Sequence, residues 1–90
     1  MTIESNVTLL DSVFLQEVDN ETILLDINTE EYFSLNEIAG VFYQLLKEES
    51  SLAKVLEELK ECFEVPQEQL KTDLIAFVKA LKEKGLVTIS

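Results

Sequence analysis

The chain lacks several residue types on which catalytic and nucleic-acid-binding sites depend. Its 90 residues include no histidine, no tryptophan and no arginine, and they include one cysteine, Cys62. Without histidine, no Ser–His or Cys–His nucleophile and no histidine metal ligand can form. A single cysteine excludes an intrachain disulfide and a thiolate cage, and it fits a reducing compartment. We therefore predict that the protein is not an enzyme and that it uses no metal or cofactor.

Positive charge is scarce and unevenly distributed. Eighteen acidic residues stand against seven basic ones, all lysine, and the formal net charge is -11. Residues 1–46 contain nine of the acids and none of the lysines. Since nucleic-acid readers need cationic side chains to displace phosphate counterions, nucleic-acid binding is not expected. The acidic half should instead attract a peptide that carries lysine or arginine.

The size and hydropathy of the chain fit one small domain. Apolar residues make up 47% of the sequence, above the range of disordered segments. No apolar run approaches the ~20 residues of a membrane span, and the first six residues lack the features of a secretory signal. We expect a cytoplasmic protein that does not contact a membrane. We divide it into a loose N-terminal lead-in over residues 1–12, with a short strand at residues 7–10, and one domain over residues 13–90.

Three short strands are predicted in the first half. Residues 13–18 and 21–27 are rich in β-branched and aromatic residues, and the turn pair Asp19-Asn20 joins them as a hairpin. In the second of these strands Ile23, Leu25 and Ile27 share one side, opposite Leu24. After a turn at residues 28–30, residues 31–35 form the third strand. Its Phe33 and Leu35 face the core, while Tyr32 and Ser34 face the other way.

Three helices follow, each with an apolar stripe at helical spacing. The stripes are Ile38, Val41, Phe42, Leu45 and Leu46; then Leu52, Val55, Leu56, Leu59 and Phe63; then Leu70, Leu74, Phe77, Val78 and Leu81. Asn36 is the predicted cap of the first helix, Ser50 or Ser51 that of the second, and Gly85 the end of the third. Cys62 adjoins the second stripe and is predicted to be a small buried apolar residue. The fold class is therefore α+β, a winged helix-turn-helix plan with a three-stranded antiparallel sheet followed by three helices.

Several segments of the chain resemble the PqqD-like family of RiPP recognition elements. They are Leu24-Leu25-Asp26, Tyr32-Phe33-Ser34-Leu35-Asn36, Tyr43-Gln44-Leu45-Leu46, and Asp73-Leu74 with Phe77, Leu81 and Lys84-Gly85-Leu86. The resemblance covers residues 13–89, and the aromatic motif at residues 32–36 is its most specific part. The run Glu37-Ile38-Ala39-Gly40 favours the free-standing lasso-peptide type. Glu30 stands where the family often has glycine, and Tyr43 where it often has tryptophan.

The resemblance implies a non-catalytic adaptor that binds the leader of a ribosomally made precursor peptide and presents it to a separate modifying enzyme. A lasso-type leader peptidase is the favoured enzyme, and a radical enzyme is the other possibility. The leader would pair with the third strand, whose unpaired edge groups suit strand addition, in a groove against the third helix. The implied peptide-binding residues are Glu30, Glu31, Tyr32, Phe33, Ser34, Leu35, Lys71, Ile75, Val78 and Lys82. The same edge could pair with its twin, so the chain is either a monomer or an edge-paired dimer.

Two other functions fit parts of the pattern. A winged-helix DNA-binding regulator would share the fold, but a third helix without arginine is a poor recognition helix. An acidic acyl-carrier-like module would need a serine that opens a mid-chain helix. The nearest match, Asp11-Ser12-Val13, precedes a strand-rich region instead.

Overall fold

The computed structural model describes residues 2–19 and 21–90, in five strands and three helices. In chain order these are β1 (Val7–Leu9), β2 (Val13–Val18), β3 (Glu21–Asp26), β4 (Glu31–Leu35), α1 (Glu37–Glu48), α2 (Leu52–Cys62), α3 (Gln67–Glu83) and β5 (Val87–Ile89). The predicted fold class is confirmed: a three-stranded antiparallel sheet is followed by three helices. No helix of the described part is long and apolar enough to cross a membrane.

The three-stranded sheet has the order β2-β3-β4, so β4 lies at an edge. Residue pairs run from Val13 opposite Asp26 to Val18 opposite Glu21, which confirms the predicted hairpin. Asn20, the second residue of its predicted turn, lies outside the described residues. Between β3 and β4, Leu24 pairs with Phe33 and Thr22 with Leu35.

The sequence leaves open which side of β3 faces the core, because both sides carry apolar residues. Leu24 is fully buried and Asp26 is buried, whereas Ile23 and Leu25 are only half-buried and Ile27 is 51% exposed. Leu24 is buried because its cross-strand neighbours, Leu15 and Phe33, both pack against the core. The more apolar side of this strand is therefore the side that faces away from the helices.

The two ends of the chain meet in a second, two-stranded sheet. β1 pairs with β5, and Asn6 and Ser90 exchange backbone hydrogen bonds of 2.9 Å. Val7 is 1% exposed and belongs to the core. The residues around β1 are thus tied to the rest of the fold, not loose as the sequence suggests, while the division at residue 12 stays a prediction.

Side-chain caps and one glycine set the limits of the helices. The Asn36 carboxamide oxygen accepts from the Ala39 N–H at 2.8 Å, and the Ser51 hydroxyl oxygen accepts from the Lys54 N–H at 3.5 Å. These are the predicted N-caps of α1 and α2. Gly85 ends α3 with a φ of 74°, and the Leu86 N–H donates to the Leu81 carbonyl at 3.0 Å. This is the Schellman arrangement, which requires a left-handed residue after the last helical turn.

The helix stripes build one core with two departures from the predicted pattern. On α1 the buried residues are Gly40, Phe42, Tyr43 and Leu46, while Ile38 is 52% exposed. The buried side of α1 is turned towards Tyr43 because Gly40 lies against β3, where an added Cβ would come within 2.9 Å of the Thr22 hydroxyl oxygen. Cys62 is exposed and not buried as predicted. It is the last residue of α2, and the next residue, Phe63, is the one that packs against the core.

Candidate functional site

The outer edge of β4 carries backbone groups that no other strand of the described residues pairs with. The Ile27 N–H donates to the carbonyl of the opposed Ser12 at 3.0 Å, which fixes the hydrogen-bond phase of the sheet. Because paired residues in antiparallel strands alternate between bonded and non-bonded types, Leu24 bonds towards Phe33 on β4. By the same alternation, Tyr32 and Ser34 direct their N–H and C=O groups away from β3. Two donors and two acceptors are therefore available at this edge.

The side chains of β4 divide between the two faces of the sheet as the sequence predicts. Phe33 and Leu35 are half-buried and pack against the core. Tyr32 is 69% exposed, and Ser34 is also exposed. A peptide strand added beside β4 would meet Phe33 on the helix side and Tyr32 on the other side.

A tight turn holds the start of β4 in place. The Asp26 carboxylate accepts from the Asn28 N–H at 3.0 Å, and its carbonyl accepts from the Glu30 N–H at 2.7 Å. Glu30 has a φ of 60°, the left-handed conformation that glycine adopts at little cost. Glu30 thus adopts the backbone conformation that glycine would favour in this turn, although it carries a side chain. Glu30 and Glu31 are both exposed at this end of the edge.

The contact between α3 and β4 comes from the C-terminal end of the helix. The Lys84 ammonium nitrogen lies 4.9 Å from the centroid of the Phe33 ring, within the range of a cation–π contact. Phe77 precedes Lys84 by seven residues and so lies on the same side of the helix, and its half-buried ring contacts Phe42 edge-on at 5.8 Å. Ala80 lies between them on this side. Phe77, Ala80 and Lys84 therefore share one side of α3, and Lys84 brings that side to Phe33 on β4. We call the surface formed by these four residues the edge groove.

The side of α3 that the sequence predicts to contact the peptide is not the side that contacts β4. Ile75 precedes Lys84 by nine residues, about two and a half turns, and so points to the opposite side. Lys71 and Ile75 are half-buried and Lys82 is exposed. No contact of these three with β4 is seen among the described residues, and their role in peptide binding stays a prediction. The prediction that Val78 contacts the peptide is corrected by the structure. Its side chain is fully buried in the core, between Leu74 and Leu81 on the same side of α3.

Sequence reasoning missed Phe77 and Lys84 as groove residues. The spacing of Phe77 matches the core stripe of α3. Spacing alone does not show that its ring stays half-exposed. The position of Lys84 at the end of α3 predicts only a favourable interaction of its charge with the helix dipole. Their spacing of seven on one helix side, next to the glycine that ends α3, is the signal that could have linked them.

The comparisons with known proteins agree with this geometry. A family model described as coenzyme PQQ synthesis protein D (PqqD) matches residues 21–87, about three quarters of the chain. The chain belongs to the PqqD family. The match begins at the first residue of β3 and ends at the first residue of β5, so it contains β4, α3 and the whole edge groove.

Two solved structures resemble the PqqD-family chain closely. A structure described as lasso peptide synthetase B1 complexed with the leader peptide has a TM-score of 0.82 and 30% sequence identity, covering 92% of this chain and 98% of the other. A structure of TbiB1 in complex with the TbiA(beta) leader peptide has a TM-score of 0.81 and 26% identity, covering 89% and 93%. No curated protein sequence matches the chain.

Proposed function

We propose that this PqqD-family protein is a non-catalytic adaptor that binds the leader of a ribosomally made precursor peptide as an added strand on β4. The observation that carries the proposal is the open edge at Tyr32 and Ser34, which offers two donors and two acceptors beside the edge groove. A disordered peptide can pair with these groups through its own backbone, and this pairing requires few particular side chains in the peptide. Both solved relatives described above are complexes with leader peptides, which supports the assignment.

The edge groove supplies the side-chain contacts that fix the register of the peptide. Phe33 and Phe77 are apolar and half-buried, and Ala80, which is small and exposed, lies between Phe77 and Lys84 on the same side of α3. Lys84 can turn from the Phe33 ring towards a peptide carboxylate or carbonyl, since its ammonium lies at the exposed end of α3. The remaining predicted contacts, at Glu30, Glu31, Leu35, Lys71, Ile75 and Lys82, belong to the same proposal and are tested with it.

The bound peptide is presented to a separate modifying enzyme, for which a lasso-type leader peptidase is the favoured candidate. The resemblance to the complex of lasso peptide synthetase B1 with a leader peptide supports this choice over a radical enzyme. The adaptor needs no catalytic group of its own, because holding the leader raises the local concentration of the attached core peptide at the enzyme.

DNA binding, the alternative function, is not supported. Three acids, Glu68, Asp73 and Glu83, balance three lysines across α3, the helix that a winged-helix regulator would place in the major groove. The matched structures are peptide complexes rather than DNA complexes.

The direct test is an NMR titration of the full-length protein with the leader of the precursor encoded beside it. Amide shifts should concentrate on residues 31–35 and on Phe77 to Lys84, while α2 stays unaffected. A scrambled leader of the same composition is the matched control and should cause no such shifts. A saturating leader that leaves β4 unperturbed would refute strand addition, and shifts centred on Lys71 and Ile75 would move the groove to the other side of α3. Molecular mass measured with and without leader would decide between the monomer and the edge-paired dimer.

A further inference from the structure

The three-stranded sheet has a second face, directed away from the helices, which the leader site meets only at its β4 margin, through Tyr32 and Ser34. Its members are the side chains that alternate with the core-facing ones: Phe14, Gln16, Val18, Glu21, Ile23, Leu25, Tyr32 and Ser34. We call this surface the outer face. Five of these eight side chains are apolar or aromatic, and Glu21, at the hairpin end, is the single charged one.

Three of the apolar members of the outer face form a continuous row. Phe14 is opposed by Leu25 and Leu25 by Tyr32, so the row crosses all three strands. Directly opposed Cβ atoms in antiparallel strands lie about 4.5–5.5 Å apart, which brings these side chains into contact. Phe14 is 51% exposed and Tyr32 is 69% exposed. No element of the described residues packs on this row, and an exposed apolar row of this kind favours an interaction site over plain surface.

We propose that the outer face is the docking surface for the separate modifying enzyme, and that the enzyme meets it with an apolar patch bordered by lysine and arginine. The border of the outer face is acidic, with Asp19 and Glu21 at one end and Glu30 at the other. Residues 1–46, which include the sheet and its turns, contain no lysine or arginine that could offset these charges. A second copy of this chain would bring acid against acid across the contact, so charge favours a basic partner over self-association.

The outer face is continuous with the proposed leader site, and the inference rests on that proposed function. A leader strand added to β4 would extend the sheet and direct every second side chain to the outer side, next to Tyr32. One enzyme surface could then contact the adaptor and the peptide together. The combined surface is larger than that of the three strands alone and so comes closer to the ~800 Å² per partner that a stable contact needs.

A substitution at Phe14 distinguishes the proposed enzyme-docking surface from the proposed leader site. Phe14 lies on β2, two strands and about 10 Å from β4, so its loss should not disturb the edge groove. We would measure the affinity of the purified leader peptidase encoded beside this chain, with the leader bound, for the wild type and for Phe14→Ser. The expected result is at least about tenfold weaker peptidase binding with unchanged leader affinity, as for an aromatic side chain that becomes buried in an interface. Ile38→Ser, which replaces an equally exposed apolar residue on α1, should change neither affinity.

Other outcomes would overturn the inference. Peptidase affinity that is unchanged in Phe14→Ser would exclude the outer face as the docking surface. A wild type that dimerises, and whose dimer is lost in Phe14→Ser, would assign the face to a second copy. Peptidase association that does not slow from low to high salt would contradict the basic border of the partner. If Phe14→Ser fails to fold by circular dichroism, Val18→Ser, 49% exposed on the same face, replaces it. A wild type that binds no leader at all would refute the proposed function instead.

Discussion

Proline at Ser34 would remove one of the outward N–H groups on which strand addition depends. Ser34 is exposed, its side chain has no core contact, and its N–H points away from β3. Proline lacks the N–H and fixes φ near −65°, which an edge strand tolerates when the lost donor faced outward. Ser34→Pro should therefore fold while presenting a damaged edge.

The size of the effect follows from the edge groups. Tyr32 and Ser34 together offer four hydrogen bonds, each with a net contribution of about 0.5–1.5 kcal/mol, or about 2–6 kcal/mol in total. Removing one donor also leaves a peptide carbonyl unpaired, which costs about 1–3 kcal/mol when water is excluded. We expect leader affinity to fall at least about tenfold, equivalent to about 1.4 kcal/mol.

Isothermal titration with the synthetic leader measures this loss, and β2 provides a matched control. The alternation that turns the Ser34 N–H outward on β4 turns the Glu17 N–H outward on the opposite edge of the sheet. Glu17→Pro should lower the melting temperature about as much as Ser34→Pro and leave leader affinity unchanged. Because it also removes a charge, both titrations are run at high salt, where exposed charges are screened.

Two results would refute the reasoning. Folded Ser34→Pro that binds the leader as tightly as the wild type would show that the edge of β4 is not the template. Equal weakening in Ser34→Pro and Glu17→Pro would show that the sheet as a whole is disturbed, and that the edge has no particular role.

Three further predictions concern stability. Phe33→Asp should destabilise the domain by about 2–4 kcal/mol, because it places a charge against the core, and a chemical denaturation curve that matches the wild type would place Phe33 outside the core. Glu30 has a φ of 60°, which favours glycine and disfavours a β-branched residue. Glu30→Gly should therefore be neutral or stabilise by up to about 1 kcal/mol, and Glu30→Val should destabilise by about 1–2 kcal/mol. The reverse order of stabilities in thermal melts would contradict that geometry. Burial raises the pKa of the Tyr43 hydroxyl above its ordinary value of 10.0. Above about pH 10 the unfolded state then loses a proton that the folded state keeps, so stability contributed by Tyr43 declines with rising pH. Denaturation at pH 8 to 11 should show a shallower decline for Tyr43→Phe than for the wild type, and identical slopes would refute it.

The fold could be predicted from the sequence where local pattern and tertiary packing agree. The change from a period of two to a period of 3.6 at Asn36 separates the sheet from the helices, and Asn36, Ser51 and Gly85 end the helices as their chemistry requires. Each of these signals acts within a few residues, so the sequence alone is enough to locate it.

Contacts between distant segments could not be predicted in the same way. Both faces of β3 are apolar, so periodicity could not show that Leu24 rather than Leu25 is buried; pairing with Phe33 decides it. The pairing of β1 with β5 joins segments almost the whole chain apart. The groove side of α3 depends on where the helix crosses β4, and helical spacing alone does not contain that information. For this reason Lys84 reaches Phe33 whereas the predicted Ile75 points away.

Hydrogen exchange at single-residue resolution tests the central claim most directly. In the free protein the amides of Tyr32 and Ser34 face no strand among residues 2–19 and 21–90, whereas those of Glu31, Phe33 and Leu35 bond to β3. Saturating leader peptide should slow exchange at Tyr32 and Ser34 by about tenfold or more, with much smaller changes at the three alternate residues. Slowed exchange that spares Tyr32 and Ser34, or that spreads evenly over β4, would contradict the addition of a guest strand at this edge.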